Sequence, residues 1–187
     1  MTALLAVVVG LLVIACFVAP TLSVRDLAGR VVAFTVVGLL ALVGLLAVIS
    51  GVIADPDSLV GRLLVVELFA IAVAGGGPVT ATVLWLVDRG SRRADMDDAS
   101  EVLRGGAWIG AFERAAVFAT LAAGWPEGLA VVLALKGLGR YSELRGSAAT
   151  AAGPPVNGGV AERFIIGTFS SVLWACAVAG AYLVLVG

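Results

Sequence analysis

The residues of this sequence most capable of chemistry are charged residues set inside apolar stretches. Glu113 and Arg114 interrupt GAWIGAFERAAVFATLAAG, residues 106–124, and Lys136 interrupts the next apolar stretch. A charge at the centre of a membrane helix costs about 2.5–3.5 kcal/mol on insertion scales, so such residues pair with one another or mark a functional site. They could bind an ion or an anionic head group.

A third apolar stretch carries two further features that could belong to a site. Glu67 could snorkel to the interface, pair with Arg62, or bind a proton or a cation. The second feature is the run Gly75, Gly76, Gly77 and Pro78. A proline removes one helix hydrogen bond and glycines add flexibility, so the run predicts a kink or a break. A broken helix could line a binding site, whereas a kink could improve packing.

Several kinds of catalytic chemistry have no residues to support them. The sequence contains no histidine, and its two cysteines, Cys16 and Cys176, fall inside apolar stretches. Both read as small buried hydrophobic residues rather than as a disulfide or metal ligands. Neither a phosphate-binding GxxxxGK[ST] loop nor a Gly-x-Ser-x-Gly elbow is present. We therefore expect no metal and no cofactor.

The composition indicates what holds these residues in place. Of 187 residues, 61% are hydrophobic and 13% are charged, whereas soluble domains are about 45–50% apolar and about 25% charged. Lipid must cover the excess, and backbone groups in lipid must be bonded internally. We predict an all-α, polytopic transmembrane bundle that forms a single domain. Six stretches approach the span length of about 20 residues: 2–20, 31–53, 63–87, 106–123, 127–141 and 163–186.

Basic residues predict the orientation of these spans, because cytoplasmic loops carry an excess of them. The first, third and fifth loops are rich in arginine, the second has Arg62, and the fourth has none. Odd-numbered loops are therefore predicted to be cytoplasmic, with both termini on the other side. The third loop, 88–105, is charged. The fifth, 142–160, is rich in Gly, Ala, Pro and Ser and is predicted to be flexible. The first stretch has no basic residue before it, so we interpret it as a retained span.

The orientation decides which charged residues need a partner. Lys136 lies on a span that would run from outside to inside, so its side chain tilts deeper into the membrane. We predict that it pairs with Glu113, on the neighbouring span at a similar depth, with Glu162 as the alternative. Arg114 tilts towards the cytoplasm, about 9 Å beyond Trp108. Its long side chain could snorkel to the surface without a partner.

These residues predict a polar cluster near the cytoplasmic face of the bundle. It could be a set of ion pairs that locks three helices together, or a binding site for an ion or an anionic head group. Its members are Glu113, Lys136, Arg140, Glu162, Arg163 and Thr168.

The same polar residues carry a resemblance to known sequences over 105–175. They are Ile109-Gly110, Glu113-Arg114, Lys136, Arg140-Tyr141, Glu162 and Ile166-Gly167-Thr168. In this pattern the chain resembles the C-terminal portion of an uncharacterised family of small bacterial membrane proteins. It departs from that pattern at Ala134-Leu135-Lys136-Gly137, where the family has Ala-Ala-Lys-Ser. The family has no established activity, so the resemblance implies only that these residues belong together.

Three functions fit the sequence. The leading hypothesis is a multi-pass protein of the cell membrane that serves as a structural or interaction subunit. The first alternative is a transporter of small molecules, ions or lipids, or a lipid-handling protein, that uses Glu113, Lys136 and Arg140. The second is an intramembrane enzyme acting on a lipid head group. Expected partners are membrane lipid and either another membrane protein or further copies. A net charge of −1 gives no attraction to nucleic acid.

Overall fold

A computed structural model of the chain describes residues 9–16, 27–50, 55, 58–87, 104–150 and 158–186. The side chains of residues 27, 46–48, 50, 104–105, 140–150 and 158–161 are not part of that description. Six helices occur in these ranges, and no strand, which confirms the all-α class. They are α1 (residues 9–16), α2 (Leu27–Ser50), α3 (Leu59–Val87), α4 (Arg104–Ala122), α5 (Glu127–Thr150) and α6 (Gly158–Val186).

Three of the described helices are long and apolar enough to cross a membrane. The apolar segments are Ala28–Leu45 in α2, Leu59–Val87, and Glu162–Val186 in α6. They overlap the second, third and sixth predicted spans. The other two long helices, α4 and α5, are less apolar because they carry charged residues, among them Glu113, Arg114 and Lys136. The fold is therefore that of a helical protein with three candidate membrane spans.

The prediction of a flexible loop at 142–160 is wrong over much of that segment. Helix α5 continues to Thr150 and α6 begins at Gly158, while residues 151–157 lie outside the described residues. The composition was misleading because alanine, glutamate, leucine and arginine, which are strong helix formers, alternate there with glycine and serine. Of the charged loop 88–105, the structure describes only 104–105, which already belong to α4.

Helix α3 lies at the centre of the described bundle. It packs along α6, α4 lies against both of them, and α2 contacts α3 and α6 from another side. The core between them holds fully buried Leu68 and Ile71 of α3, Val36 of α2 and Val178 of α6. Leu12 of α1 is buried there as well. Helix α5 lies at the edge of the bundle, packed along α4.

The outward faces of these helices are apolar too. Phe34, Val66, Leu173 and Ile49 are more than half exposed. A soluble protein would seldom expose so much apolar surface, whereas a lipid-facing surface has this character.

Candidate functional site

A tight turn joins α4 to α5 and sets their register. Gly124 has a φ of 70°, a left-handed conformation that glycine adopts without a steric penalty. The amide of Trp125 donates to the carbonyl of Thr120 over 2.8 Å, which closes the end of α4. The chain then returns alongside α4. Glu113 and Lys136 stand 11 and 12 residues from Gly124, so the turn brings them to the same level.

Glu113 and Lys136 form an ion pair, as the sequence predicted. Lys136 Nζ donates to Glu113 Oε2, and the two side chains are 19% and 13% exposed. Lys136 Nζ also lies 5.7 Å from the centre of the Phe164 ring on α6, within cation–π range. Glu162, the alternative partner, is exposed near the start of α6. Lys136 therefore connects α5 to both α4 and α6.

Arg114 does not snorkel, and that expectation is wrong. Its side chain is only 8% exposed. Nε donates to the carbonyl oxygen of Val73 on α3 over 2.9 Å, and Nη1 donates to Ser171 Oγ on α6 over 3.2 Å. The expectation failed because it considered only the depth of Arg114 and the tilt of its side chain along α4. The Arg114 side of α4 faces α3 and α6, whose polar atoms accept its hydrogen bonds.

The guanidinium of Arg114 lies at mid-height of the two longest helices. Val73 is the central residue of the 29-residue helix α3, and Ser171 is next to the central residue of α6, also 29 residues long. Among the described residues, the ion pair that the structure records is Glu113–Lys136, and no carboxylate oxygen lies within 4.0 Å of Arg114. Its direct hydrogen-bond partners are therefore neutral groups, a carbonyl and a hydroxyl, and the nearby carboxylate of Glu113 also stabilises the charged guanidinium.

The glycines of α3 make room for this contact. A Cβ on Gly76 would overlap the Arg114 side chain and lie 2.7 Å from its Nε. A Cβ on Gly75 would lie 2.6 Å from the Trp174 ring on α6 and 2.9 Å from Cys16 Sγ. These glycines are thus needed for close approach. Gly77 differs, because a Cβ there would meet nothing within 4 Å.

The predicted break at Pro78 is absent, since α3 is continuous from Leu59 to Val87. Side chains from neighbouring helices bond to backbone carbonyls in the turns before the proline. Trp174 Nε1 donates to the carbonyl of Ile71 over 3.2 Å, and Arg114 reaches Val73. These bonds hold the turns before the proline to α4 and α6; the carbonyl that Pro78 leaves without a donor from its own helix is that of Ala74. The packing interpretation of the glycine run fits this geometry.

The other members of the predicted cluster do not gather into one site. Arg163 is partly buried directly after Glu162, the first residue of α6 whose side chain is described, and Thr168 lies five residues further along. Arg140 belongs to α5, but its side chain lies outside the described residues. Glu67 is partly exposed on α3, six residues from Val73 in the direction away from Thr80 and Trp85. The pair Glu113–Lys136 is the part of the cluster that the structure brings together.

Four of the eight described serine and threonine hydroxyls bond to a carbonyl of their own helix, as hydroxyls in helices commonly do. These bonds are Thr35 to Val31, Thr82 to Pro78, Thr120 to Val117 and Ser170 to Ile166, at 2.7–2.9 Å. Thr80 and Thr168 differ, because their hydroxyl oxygens are buried without a hydrogen-bond partner. Sequence reasoning missed the role of Arg114, which depends on how α3, α4 and α6 pack together.

Comparison with known proteins does not identify a family for this chain. No protein-family model, curated protein or solved structure matches the chain significantly. Among the described residues, no three Cys, Asp or Glu side chains lie close enough together to hold a metal ion. The function must therefore be inferred from the side-chain contacts themselves.

Proposed function

We propose that the protein is a multi-pass protein of the bacterial cell membrane that acts as a structural or interaction subunit. The contacts of its charged residues support this function. The Glu113–Lys136 pair fastens α5 to α4, and Arg114 ties α4 to α3 and α6. Glu113, Lys136 and Arg114 each make a contact between helices. This arrangement is expected of a scaffold rather than of an open transport pathway.

The proposed topology has six spans, with both termini on the non-cytoplasmic side. Helix α4 supports this count because it runs beside two candidate spans and reaches their midpoints through Arg114. Its 19 residues extend about 28 Å at 1.5 Å per residue, close to the thickness of the hydrocarbon core. Helix α5 turns back from it at Gly124 and would return across the membrane.

One face of α5 is the observation that carries the interaction role. Ala130, Ala134 and Gly137 are all exposed, and their spacing places them on one stripe of the helix. A Cβ at Gly137 would meet nothing within 4 Å. The stripe faces away from the side on which Lys136 meets α4. Stripes of small residues let membrane helices approach closely, so we assign this face to a transmembrane helix of another membrane polypeptide.

Native mass spectrometry of the protein, released gently from its own membranes, tests the proposal. A second polypeptide in a fixed ratio is the expected result. Ala134→Leu should reduce its share, because the added side chain fills the stripe. The matched control is Ala81→Leu, at an exposed alanine on α3, which should leave the ratio unchanged. A chain found alone, or a partner unaffected by Ala134→Leu, would contradict the assignment.

A transporter or lipid-handling protein that uses Glu113, Lys136 and Arg140 is the second candidate. The buried cation at mid-height of α3 and α6 favours it, because charges at that depth often mark an ion or substrate pathway. Water access distinguishes the two functions. In a background with Cys16 and Cys176 replaced by alanine, a cysteine at position 110, one turn from Arg114, should react with a polar thiol reagent if a pathway exists. A cysteine beside Glu67 tests the outer half, and no reaction at either position would exclude transport.

A further inference from the structure

Arg30 lies at one end of the bundle with hydrogen-bond donors that the described residues do not use. It is the fourth residue of α2, and its Cζ lies 4.4 Å from the centre of the Trp85 ring, near the end of α3. Its Nε is buried without a hydrogen-bond partner. No ion pair of this side chain with a described residue is recorded, and the side chain as a whole is partly exposed. Arg30 therefore presents a positive charge that the described residues do not compensate.

Trp85 holds this charge in place without satisfying its donors. A guanidinium above an indole ring is attracted by the face of the ring, and that contact uses none of the five N–H groups. Arginine binds phosphate through paired N–H···O bonds, which are stronger than bonds between neutral groups. The Arg30–Trp85 pair is therefore suited to an anionic acceptor with several oxygens, such as a phosphate.

A groove of about 380 Å³ lies between α2 and α6. None of the nine residues that line it is charged. They include Val37, Leu40, Ala41 and Gly44 of α2 and Trp174 and Gly180 of α6. The indole N–H of Trp174 already donates to the carbonyl of Ile71, and a Cβ on Gly44 or Gly180 would meet nothing within 4 Å. The groove is therefore an apolar site that the described side chains do not fill, and its volume is within the range of about 300–1,000 Å³ typical of ligand sites.

Arg30 and the groove lie on the same side of α2. Val37, Ala41 and Gly44 follow Arg30 by 7, 11 and 14 residues, a spacing that returns to nearly the same stripe of a helix. At 1.5 Å per residue they lie about 10, 16 and 21 Å from Arg30 along the axis. Half of the hydrocarbon core of a bilayer is about 15 Å thick. A lipid chain that starts at the level of Arg30 and spans one leaflet would therefore enter the groove and end beside Ala41.

Helix α6 places the groove at the same distance from this end of the bundle. Trp85 follows Leu84, whose Cδ1 lies 3.8 Å from the position of a Cβ on Gly167 of α6. Trp174 comes seven residues after Gly167 and contacts Ile71, which precedes Trp85 by 14 residues. Rising residue numbers in α6 therefore lead away from the stacked cation, as they do in α2. The groove begins about 10 Å beyond that cation on both helices.

We propose that this side of α2 binds an anionic glycerophospholipid, with its phosphate on Arg30 and an acyl chain in the groove between α2 and α6. A soluble phosphate would leave the groove empty, and an apolar helix of another protein would leave Arg30 without an acceptor. The lipid satisfies both, and basic residues at the membrane surface attract anionic lipids. The site is separate from the Glu113–Lys136 pair and does not depend on the proposed interaction role.

Quenching of Trp174 fluorescence by brominated lipids tests the site, because this residue lines the groove. The full-length protein is reconstituted in phosphatidylcholine vesicles, with the exposed Trp108 and Trp125 changed to phenylalanine. Trp85 is kept because it holds Arg30. A small, increasing share of the lipid is then replaced by phosphatidylglycerol or by phosphatidylcholine that carries bromine in the middle of its chains.

Head-group selectivity is the expected result in the unchanged groove. Phosphatidylglycerol should reach half of its maximal quenching at a share about fivefold lower than phosphatidylcholine, the preference that one basic residue near the membrane surface provides. Equal quenching by the two lipids would overturn the proposal, because the groove would then contact bulk lipid without selection. Absence of quenching by either lipid would also refute it, since a protein segment would then cover the groove.

Changes at the arginine assign the selectivity to its residue. Arg30→Gln should remove the preference for phosphatidylglycerol, and Arg30→Lys, which keeps the charge, should retain part of it. Arg62→Gln is the matched control, because Arg62 is likewise the fourth residue of its helix, α3, and is exposed. It should show the same preference as the unchanged protein. A preference that persists in Arg30→Gln would place the head group elsewhere and refute the assignment.

Changes in the groove test the position of the acyl chain. Gly44→Leu with Gly180→Leu fills the groove from both helices, at positions where a Cβ meets nothing within 4 Å. The double variant should lose the selective quenching by phosphatidylglycerol. Gly38→Leu is the control, because Gly38 is an exposed and equally open position on α2 that does not line the groove. Selective quenching that is unchanged in the double variant would contradict the proposed chain position.

Discussion

Removing either partner of the Glu113–Lys136 pair should destabilise the protein, and removing both should not. Breaking a buried ion pair on one side costs about 3–5 kcal/mol, because the remaining charge is left without compensation. Both side chains keep some exposure, 19% for Lys136 and 13% for Glu113. We therefore expect Glu113→Gln and Lys136→Met each to lower the free energy of unfolding by about 2–4 kcal/mol.

The double change should recover most of that loss, since a neutral pair leaves no buried charge. Lys136→Met also removes the contact with Phe164, worth about 0.5–1 kcal/mol, so recovery should be incomplete by about that amount. Unfolding of the purified protein by sodium dodecyl sulfate in mixed micelles, followed by circular dichroism, measures all three free energies. Glu127→Gln, at an exposed residue in the first turn of α5, is the control and should cost less than about 1 kcal/mol. Losses that simply add in the double variant would refute the coupling.

Three further predictions use the same unfolding assay. Gly76→Ala should cost about 1–3 kcal/mol, because the new methyl overlaps Arg114, whereas Gly77→Ala, at an open position, should be neutral or slightly stabilising; equal effects would show that the close approach is not needed. Arg114→Lys should be less stable than Arg114→Met, since lysine keeps the buried charge but cannot place donors on both Val73 and Ser171; the reverse order would contradict the described contacts. Gly124→Ala should cost about 1–2 kcal/mol because its φ is 70°, and an unchanged free energy of unfolding would mean that the turn can rearrange.

The contacts that could be predicted from the sequence are those set by neighbouring helices. The short fourth loop predicts that α4 and α5 are antiparallel neighbours, and counting outwards from Gly124 brings Glu113 level with Lys136. The class of fold followed from composition, and three of the predicted spans coincide with candidate membrane helices. None of these predictions required knowledge of how helices distant in the sequence pack together.

The contacts that could not be predicted depend on which helices meet across the bundle. Gly75–Pro78 obeys local rules for a break, yet α3 stays helical, and partners from distant helices bond to its carbonyls. Arg114 likewise reaches Val73, 41 residues away, and Ser171, 57 residues away. Sequence spacing gives no information about such pairs. The C-terminal part of α5 was predicted as a loop because of local composition alone. Its few glycines and serines were given more weight than its strong helix formers.

The adjacent charges of α4 explain how the neighbours of a helix in a membrane bundle can be specified. Lipid chains are as apolar as leucine, so apolar burial alone does not distinguish one helix partner from another. Residues 113 and 114 point about 100° apart on a helix. Glu113 therefore meets α5, while Arg114 meets α3 and α6. Rotating α4, or exchanging its neighbours, would leave both charges uncompensated in a medium of low polarity. Two opposite charges side by side thus specify both the rotation of α4 and the identity of the helices around it.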